Sequence, residues 1–173
     1  MKKQKLYTKK LITPVGLLLA MATDNAICLL EFMHNDHWLH SKSQVMQYLN
    51  GTDNQKDTPL LLQLEEQLKA YFAKELRNFS LPLVLSGTPF QKEVWNYLLT
   101  IPYGETRSYK QQAEAIDKPQ SFRAVANANG MNRISILIPC HRVIGSNGTL
   151  TGYGGGLWRK KFLLELEGVK SEE

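Results

Sequence analysis

"SYKQQAEAIDKPQSFRAVANANG", residues 108–130, reads as two short helices joined by a tight break. Ser108 and Gln111 make a capping box for the first helix, the serine hydroxyl and the glutamine side chain each satisfying an orphan backbone N–H of the other. "DKPQ" interrupts, and the alanine-rich "SFRAVANANG" closes on Gly130 as a helix stop. The pair predicts a helix-turn-helix. Its alanines fit two readings: close packing on another element, or close approach of the helix to a nucleic-acid groove.

Upstream, "TPFQKEVWNYLLTI" has its own capping box, Thr88 with Gln91, and Pro89 at the first helical position. Phe90, Val94, Tyr97 and Leu98 form one apolar stripe. Downstream, "ISILIP" reads as a buried strand that ends on Pro139, followed at once by Cys140, His141 and Arg142. A glycine-rich loop, "SNGTLTGYGGG", leads into a closing helix, "LWRKKFLLELEG". Leu163 and Glu167 lie four apart, so the carboxylate projects from the helix's apolar side, where it needs a partner.

The first half has a different texture. "KLYTKKLI", "GLLLAMA" and "AICLLEF" read as short strands separated by "TPVG" and "TDN" turns. Cys28, in the third, is a small buried side chain on this reading. His34, His37 and His40 are spaced by three but have no cysteine or carboxylate at metal-ligand spacing, and read as a solvated loop or helix end. In "DTPLLLQLEEQLKAYFAKEL", Thr58 caps, Pro59 opens the helix, and Leu61, Leu64, Leu68, Tyr71 and Phe72 recur at helical spacing. "RNFSLPLVLSG" follows as extended chain and marks the boundary between domains 1–85 and 86–173.

Composition limits the classes. With 43% hydrophobic and 21% charged residues the chain should build a packed core. No apolar run approaches the ~20 residues of a membrane span. The basic start "MKKQKLYTKK" lacks a signal-peptide pattern, so a cytoplasmic protein without membrane association is expected. Two cysteines in a chain of this size call for no disulfide. The formal net charge is +5, but from Lys118 to Lys161 there is no acid at all, while Lys118, Arg123, Arg133, Arg142, Arg159, Lys160 and Lys161 are all basic. A one-sign stretch of this kind is the footprint of a polyanion partner, or else a solvated basic face.

Cys140 could be a core residue beside unrelated polar neighbours, or a nucleophile. A thiol attacks only as thiolate. His141 can act as base, directly or through a water, and Glu167 can orient it: nucleophile, base and orienter. Three classes follow. A helix-turn-helix protein without chemistry would not need Cys140. A Cys–His hydrolase would turn over and carry an ester or amide pocket. A thiol acceptor would react once.

The combination decides among them. "PCHR" after an apolar run, with "RAVANANGMN" upstream and "GYGGG" downstream, resembles the methylated-DNA–protein-cysteine methyltransferases, which repair 6-O-alkylguanine. The likeness runs from "TPFQKEVW" to "LLELEG". It implies an α/β N-terminal domain, ribonuclease-H-like, with a small antiparallel sheet plus helices and a structural role. A mainly α C-terminal domain with a winged helix-turn-helix would follow. It implies irreversible transfer of the alkyl group from 6-O-alkylguanine, and from 4-O-alkylthymine, to Cys140, one turnover per molecule. No metal or organic cofactor is implied, and the partner is duplex DNA met by a monomer.

By the same resemblance, His141 is the base acting through water, Glu167 orients it, and Asn132 is the hinge that braces the turn. Tyr109 crowds the target phosphate and stabilises the departing guanine. Arg123 enters the duplex in place of the flipped nucleotide. Ala124, Ala126 and Ala128 let the second helix lie in the minor groove. Tyr153, Gly154, Gly155 and Pro139 belong to the base pocket. Three positions depart from the family pattern: Arg133 and Ser135 stand where proline is common, and Gly154 where some members have serine. The last is expected to admit larger alkyl groups.

Overall fold

The computed structural model describes residues 2–170. The chain divides into two compact units, Met1–Gly87 with Arg133–Ser135, and Thr88–Asn132 with Ile136–Glu173.

In the first unit, strands β1 (Gln4–Thr13), β2 (Gly16–Ala22) and β3 (Ile27–Phe32) are followed by helix α1 (His37–Leu49), strand β4 (Gly51–Gln55) and helix α2 (Pro59–Phe72). The sheet order is β3-β2-β1-β4. β1–β2 and β2–β3 are antiparallel, but β1–β4 is parallel. The sheet is therefore mixed, not antiparallel as expected. β3 and β4 run the same way, so a crossover must join them, and α1 is that crossover. "GTDNQ" carries no apolar alternation by which a strand could be recognised. Gly51 is needed where it stands, since a Cβ there would lie 2.3 Å from Leu6 Cδ1.

Leu6, Leu19 and Met21 pack with Val45 of α1 on one face of this sheet. Leu11, of opposite parity on β1, lies with Leu68 and Phe72 of α2. β2 and β3 are buried almost throughout, as strands covered on both sides must be. Cys28 is in this core, and burial pushes its thiol up to about 12. Thr58 caps α2 as predicted, its hydroxyl accepting from Leu61 N–H.

The sequence suggests that "ISILIP" is a strand, and the structure differs. Leu30 N–H donates to Arg133 O (2.9 Å) and Ser135 N–H to Leu30 O (2.8 Å), so only isolated bridges form and residues 133–135 group with the first unit. A turn follows, with Ile136 at φ 73°, a conformation a β-branched residue adopts only when its surroundings impose it. Around Leu30–Ser135 lies a buried polar cluster. Glu31 accepts from Ser41 and Ser135, Arg133 Nη1 donates to Ser41 Oγ at 3.4 Å, and His37 Nε2 is 3.5 Å from Glu31. Burial pushes the Glu31 carboxyl up to about 7 against the pull of Ser41, Arg133 and Ser135.

The second unit contains α3 (Pro89–Leu98), β5 (Arg107–Ser108), α4 (Tyr109–Ala115), α5 (Phe122–Gly130), a 3-10 turn at Cys140–Arg142, β6 (Val143–Ile144) and α6 (Leu157–Leu166). Both predicted capping boxes are present. The helix-turn-helix is α4 and α5, and β5 pairs with β6 in a two-residue parallel ladder. Gly130 is the last residue of α5 but lacks the left-handed backbone of a glycine stop. Two buried polar contacts set the position of α5. Gln112 and Asn129 exchange amide hydrogen bonds at 2.9 and 2.7 Å, and Trp95 Nε1 of α3 donates to Ala128 O at 2.9 Å. Ala128 O also accepts Met131 N–H at 3.1 Å, so Trp95→Phe removes one of two hydrogen bonds to it and should lower stability by about 0.5–1.5 kcal/mol, read from urea midpoints at unchanged slope.

Candidate active site

Within the second unit a cavity of about 380 Å³ is walled by Tyr109 from α4, Phe122, Arg123, Ala126 and Asn129 from α5, and Thr151, Gly152, Tyr153 and Gly154 from the glycine-rich loop, with Cys140 among the lining residues. Only 9% of Cys140 is exposed. Pro139 precedes it, and the 3-10 turn begins at the cysteine itself. Asn132 Nδ2 donates to Ile138 O at 2.8 Å and lies 3.2 Å from Cys140 Sγ, so one amide ties the thiol to the backbone before the turn.

Behind the thiol is a buried ionic group. Glu167 caps the C-terminus of α6. Its Oε2 is 2.8 Å from His141 Nε2, and it accepts Arg142 Nε at 2.8 Å and Arg142 Nη2 at 3.0 Å. Arg142 Nη1 also donates to Ile101 O at 2.6 Å. The arginine fork and the carboxylate match in planar geometry, which is the strong form of such a pair. Burial alone would push Glu167 up, but the hydrogen bonds and charges of His141 and Arg142 outweigh it and hold the carboxyl well below the usual range. Burial lowers His141; Glu167 pulls the other way, while the Arg142 and Lys160 cations reinforce the lowering. The imidazole is thus neutral, with its Nε2 proton on Glu167. His141 Nδ1 is buried without a hydrogen-bond partner among the described residues.

Tyr109 Oη donates to Thr151 O at 3.0 Å. Burial pushes its hydroxyl up, Thr151 opposes this, and charge on Cys140 adds to it. Lys160 of α6 is completely buried and donates to Thr151 O at 2.8 Å.

Residues 89–169 match the family model of the 6-O-methylguanine DNA methyltransferase DNA-binding domain, and residues 6–85 that of the 6-O-methylguanine DNA methyltransferase ribonuclease-like domain. The chain is 44% identical over 162 residues to the constitutive methylated-DNA–protein-cysteine methyltransferase of Bacillus subtilis, covering 93% of this chain and 94% of that one. The chain belongs to the 6-O-methylguanine DNA methyltransferase family. The Mycobacterium bovis methylated-DNA–protein-cysteine methyltransferase is 62% identical over 102 residues, a match spanning 59% of this chain and 62% of that relative. Among solved structures, Mycobacterium tuberculosis OGT in complex with DNA superposes with a TM-score of 0.77 at 42% identity, over 94% of this chain and 92% of that one.

For this methyltransferase-family chain, the residues singled out in the sequence fall into three groups. Cys140, Tyr109, Arg123, Ala126, Tyr153 and Gly154 line one cavity, and Asn132, His141 and Glu167 stand behind the thiol. Arg123 and Ala124 are exposed on α5. Three differ from expectation. Ala128 is buried, its carbonyl taken by Trp95, so it packs against α3 and faces no groove. Pro139 and Gly155 are buried and do not line the cavity; Gly155 O instead holds Arg159 Nη1 at 2.7 Å. Arg133 and Ser135, the two departures from proline, are the residues whose side chains reach Glu31 and Ser41 in the first unit.

Arg142, Phe122, Asn129 and Lys160 were not singled out. The phase of α6 could have found the lysine: in "WRKK" only Lys160 is spaced with Leu163, Leu164 and Glu167 on the buried face.

Glu167→Gln should destabilise the protein by about 3–5 kcal/mol at neutral pH, because it leaves a buried guanidinium without its anion. The folded carboxyl is depressed, so its contribution is complete above the unfolded value of about 4.3 and is lost as pH falls below it. Thermal melts of the wild type should therefore fall more steeply than those of Glu167→Gln below about pH 4. Parallel curves would count against the depressed carboxylate.

Proposed function

We propose that this chain repairs 6-O-alkylguanine, and 4-O-alkylthymine, in duplex DNA by moving the alkyl group irreversibly to its own Cys140. The observation that carries this reading is the thiol on a purine-sized cavity, with the His141–Glu167 pair buried behind it. An alkyl group on a base edge is inaccessible within a stacked duplex, so the nucleotide must be turned out into the cavity. Arg123, exposed beside the cavity mouth, fills the space it leaves. Tyr109 crowds the phosphate of the rotated nucleotide. Ala124 and Ala126 allow α5 to approach the minor groove, and the acid-free stretch 118–161 favours backbone contacts over base reading.

His141 Nδ1 takes the proton of Cys140 through a water, and Glu167 holds the resulting imidazolium. The thiolate attacks the alkyl carbon; the S–C bond forms as the C–O bond breaks, and its electron pair stays with guanine, which leaves protonated with help from Tyr109. Asn132 braces the turn that carries the sulfur. The product is a thioether, and no group in the site is placed to hydrolyse it, so each molecule reacts once, as a monomer and without a cofactor, in the cytoplasm.

DNA as the partner is supported by the DNA-binding family match and by the OGT–DNA relative. A Cβ at Gly154 would meet only Gly130 O at 3.9 Å, which leaves the wall open for groups larger than methyl.

Mass spectrometry after mixing with duplexes carrying methylated or benzylated guanine should find one alkyl group, on the peptide containing Cys140, from either duplex. Product should stop at one equivalent. Cys140→Ser should bind both duplexes and take up nothing. Continued turnover, or an unmodified Cys140, would overturn the reading, and transfer from the methylated duplex alone would overturn the open wall.

A further inference from the structure

The wall that Tyr153 and Gly154 give to the cavity continues into Gly155 and Gly156. Three glycines in succession have the widest choice of backbone conformations, so on their own they hold no wall in shape. At Gly154 even a Cβ would meet only Gly130 O, 3.9 Å away. The bonds that order this stretch come from its own turn and from the start of α6. Gly156, the N-cap residue at φ 91°, donates its N–H to Tyr153 O at 2.9 Å, and its carbonyl accepts the N–H groups of Arg159 at 3.1 Å and Lys160 at 3.3 Å. Gly155 is buried, and its carbonyl is taken by a side chain: Arg159 Nη1 donates to it at 2.7 Å.

Trp158 holds that guanidinium in place. The guanidinium carbon of Arg159 lies 4.4 Å from the centroid of the indole, within the range of a cation stacked on an aromatic face. Trp158 is 53% exposed, so stacking rather than burial accounts for an indole at this position. A Cβ on Gly156 would stand 3.6 Å from Trp158 Cδ1, so the same ring lies against the last glycine of the run. A planar cation with one face on an indole and one edge on a carbonyl has lost most of its freedom to reach a phosphate.

Resting on the alkyl-transfer reading, we propose that Arg159, stacked on Trp158, is a positioning residue for this reaction: it pre-orders the Gly154–Gly156 wall that receives the flipped base, and it is not one of the phosphate contacts of the acid-free stretch. Without it the glycine run samples other conformations, and the competent wall is only a fraction of the population. Binding then has to order the wall, so apparent affinity for the base falls by that fraction. The chemical step at saturation depends on Cys140 and the His141–Glu167 pair and keeps its rate.

The test is the single-turnover rate of transfer from free 6-O-benzylguanine, which enters the cavity without DNA, against its concentration, for the full chain as wild type, Arg159→Met, Arg159→Lys and Trp158→Ala. Arg159→Met should need a half-saturating concentration at least about fivefold higher, with a limiting rate within about twofold of wild type. Trp158→Ala should move the same way by less. Arg159→Lys keeps the charge but not the planar fork, and should follow Arg159→Met rather than wild type. Hydrogen exchange at the Gly156 amide should speed up in the same variants. The affinity of Arg159→Met for an undamaged duplex should lose well under one charge's worth of salt dependence.

A salt slope lowered by about one, with the half-saturating concentration of the free base unchanged, would make Arg159 a phosphate contact and overturn the proposal. A limiting rate that falls at unchanged half-saturation overturns it too, and so does an Arg159→Lys variant that behaves as wild type. If Arg159→Met does not fold, Trp158→Ala, at an exposed position, decides by the same two parameters. A wild type whose Cys140 stays unmodified by both the free base and a benzylated duplex instead removes the transfer reaction itself.

Discussion

A carboxylate with no access to water, held by an imidazole on one oxygen and an arginine fork across both, is the contact on which the second unit depends. Glu167 is 5% exposed and His141 fully buried, so neither charge could be carried there alone. Arg142 makes the burial tolerable by supplying two short hydrogen bonds, and its third donor binds Ile101 O. These contacts join the C-terminus of α6 to the 3-10 turn and to the chain after α3. Because Cys140 is the residue next to His141, the same contacts fix where the sulfur stands. They also decide the imidazole's tautomer, and through it which ring nitrogen faces the reacting side.

The remaining walls are set by polar contacts of the same buried kind. Gln112 and Asn129 hold α4 against α5, Trp95 holds α5 against α3, and Asn132 holds the thiol to the backbone at Ile138. Each satisfies a group that burial would otherwise penalise, so each has a narrow geometry. Apolar packing alone tolerates small shifts; walls held by such bonds do not.

The sequence made some of this legible and hid the rest, for physical reasons. Caps at Thr58, Thr88 and Ser108 were readable because capping is local, a matter of residues three apart. The grouping of Cys140, His141 and Glu167 was readable in outline because Cys140 and His141 are adjacent and Glu167 breaks the apolar phase of its helix. Strand β4 was not, because a polar edge strand carries no alternation, and its parallel pairing comes from a crossover with no local signature. The apparent strand at 134–139 misled for the opposite reason: its branched apolar residues are buried, but as a turn with Ile136 at positive φ. Ala128 looked like Ala124 in sequence, and only the neighbouring α3 separates a packed alanine from an exposed one. Lys160 was one lysine in a basic run until the phase of α6 turned it inward.

The ring of His141 offers the most direct test of the buried triad. Nitrogen-15 NMR of histidine-labelled protein, from about pH 5.5 to about pH 8.5, reports which ring nitrogen carries a proton. The expected result is a ring that is neutral at neutral pH and above, protonated at Nε2 against Glu167 with Nδ1 bare. A ring protonated at Nδ1, or an imidazolium at neutral pH, would contradict it.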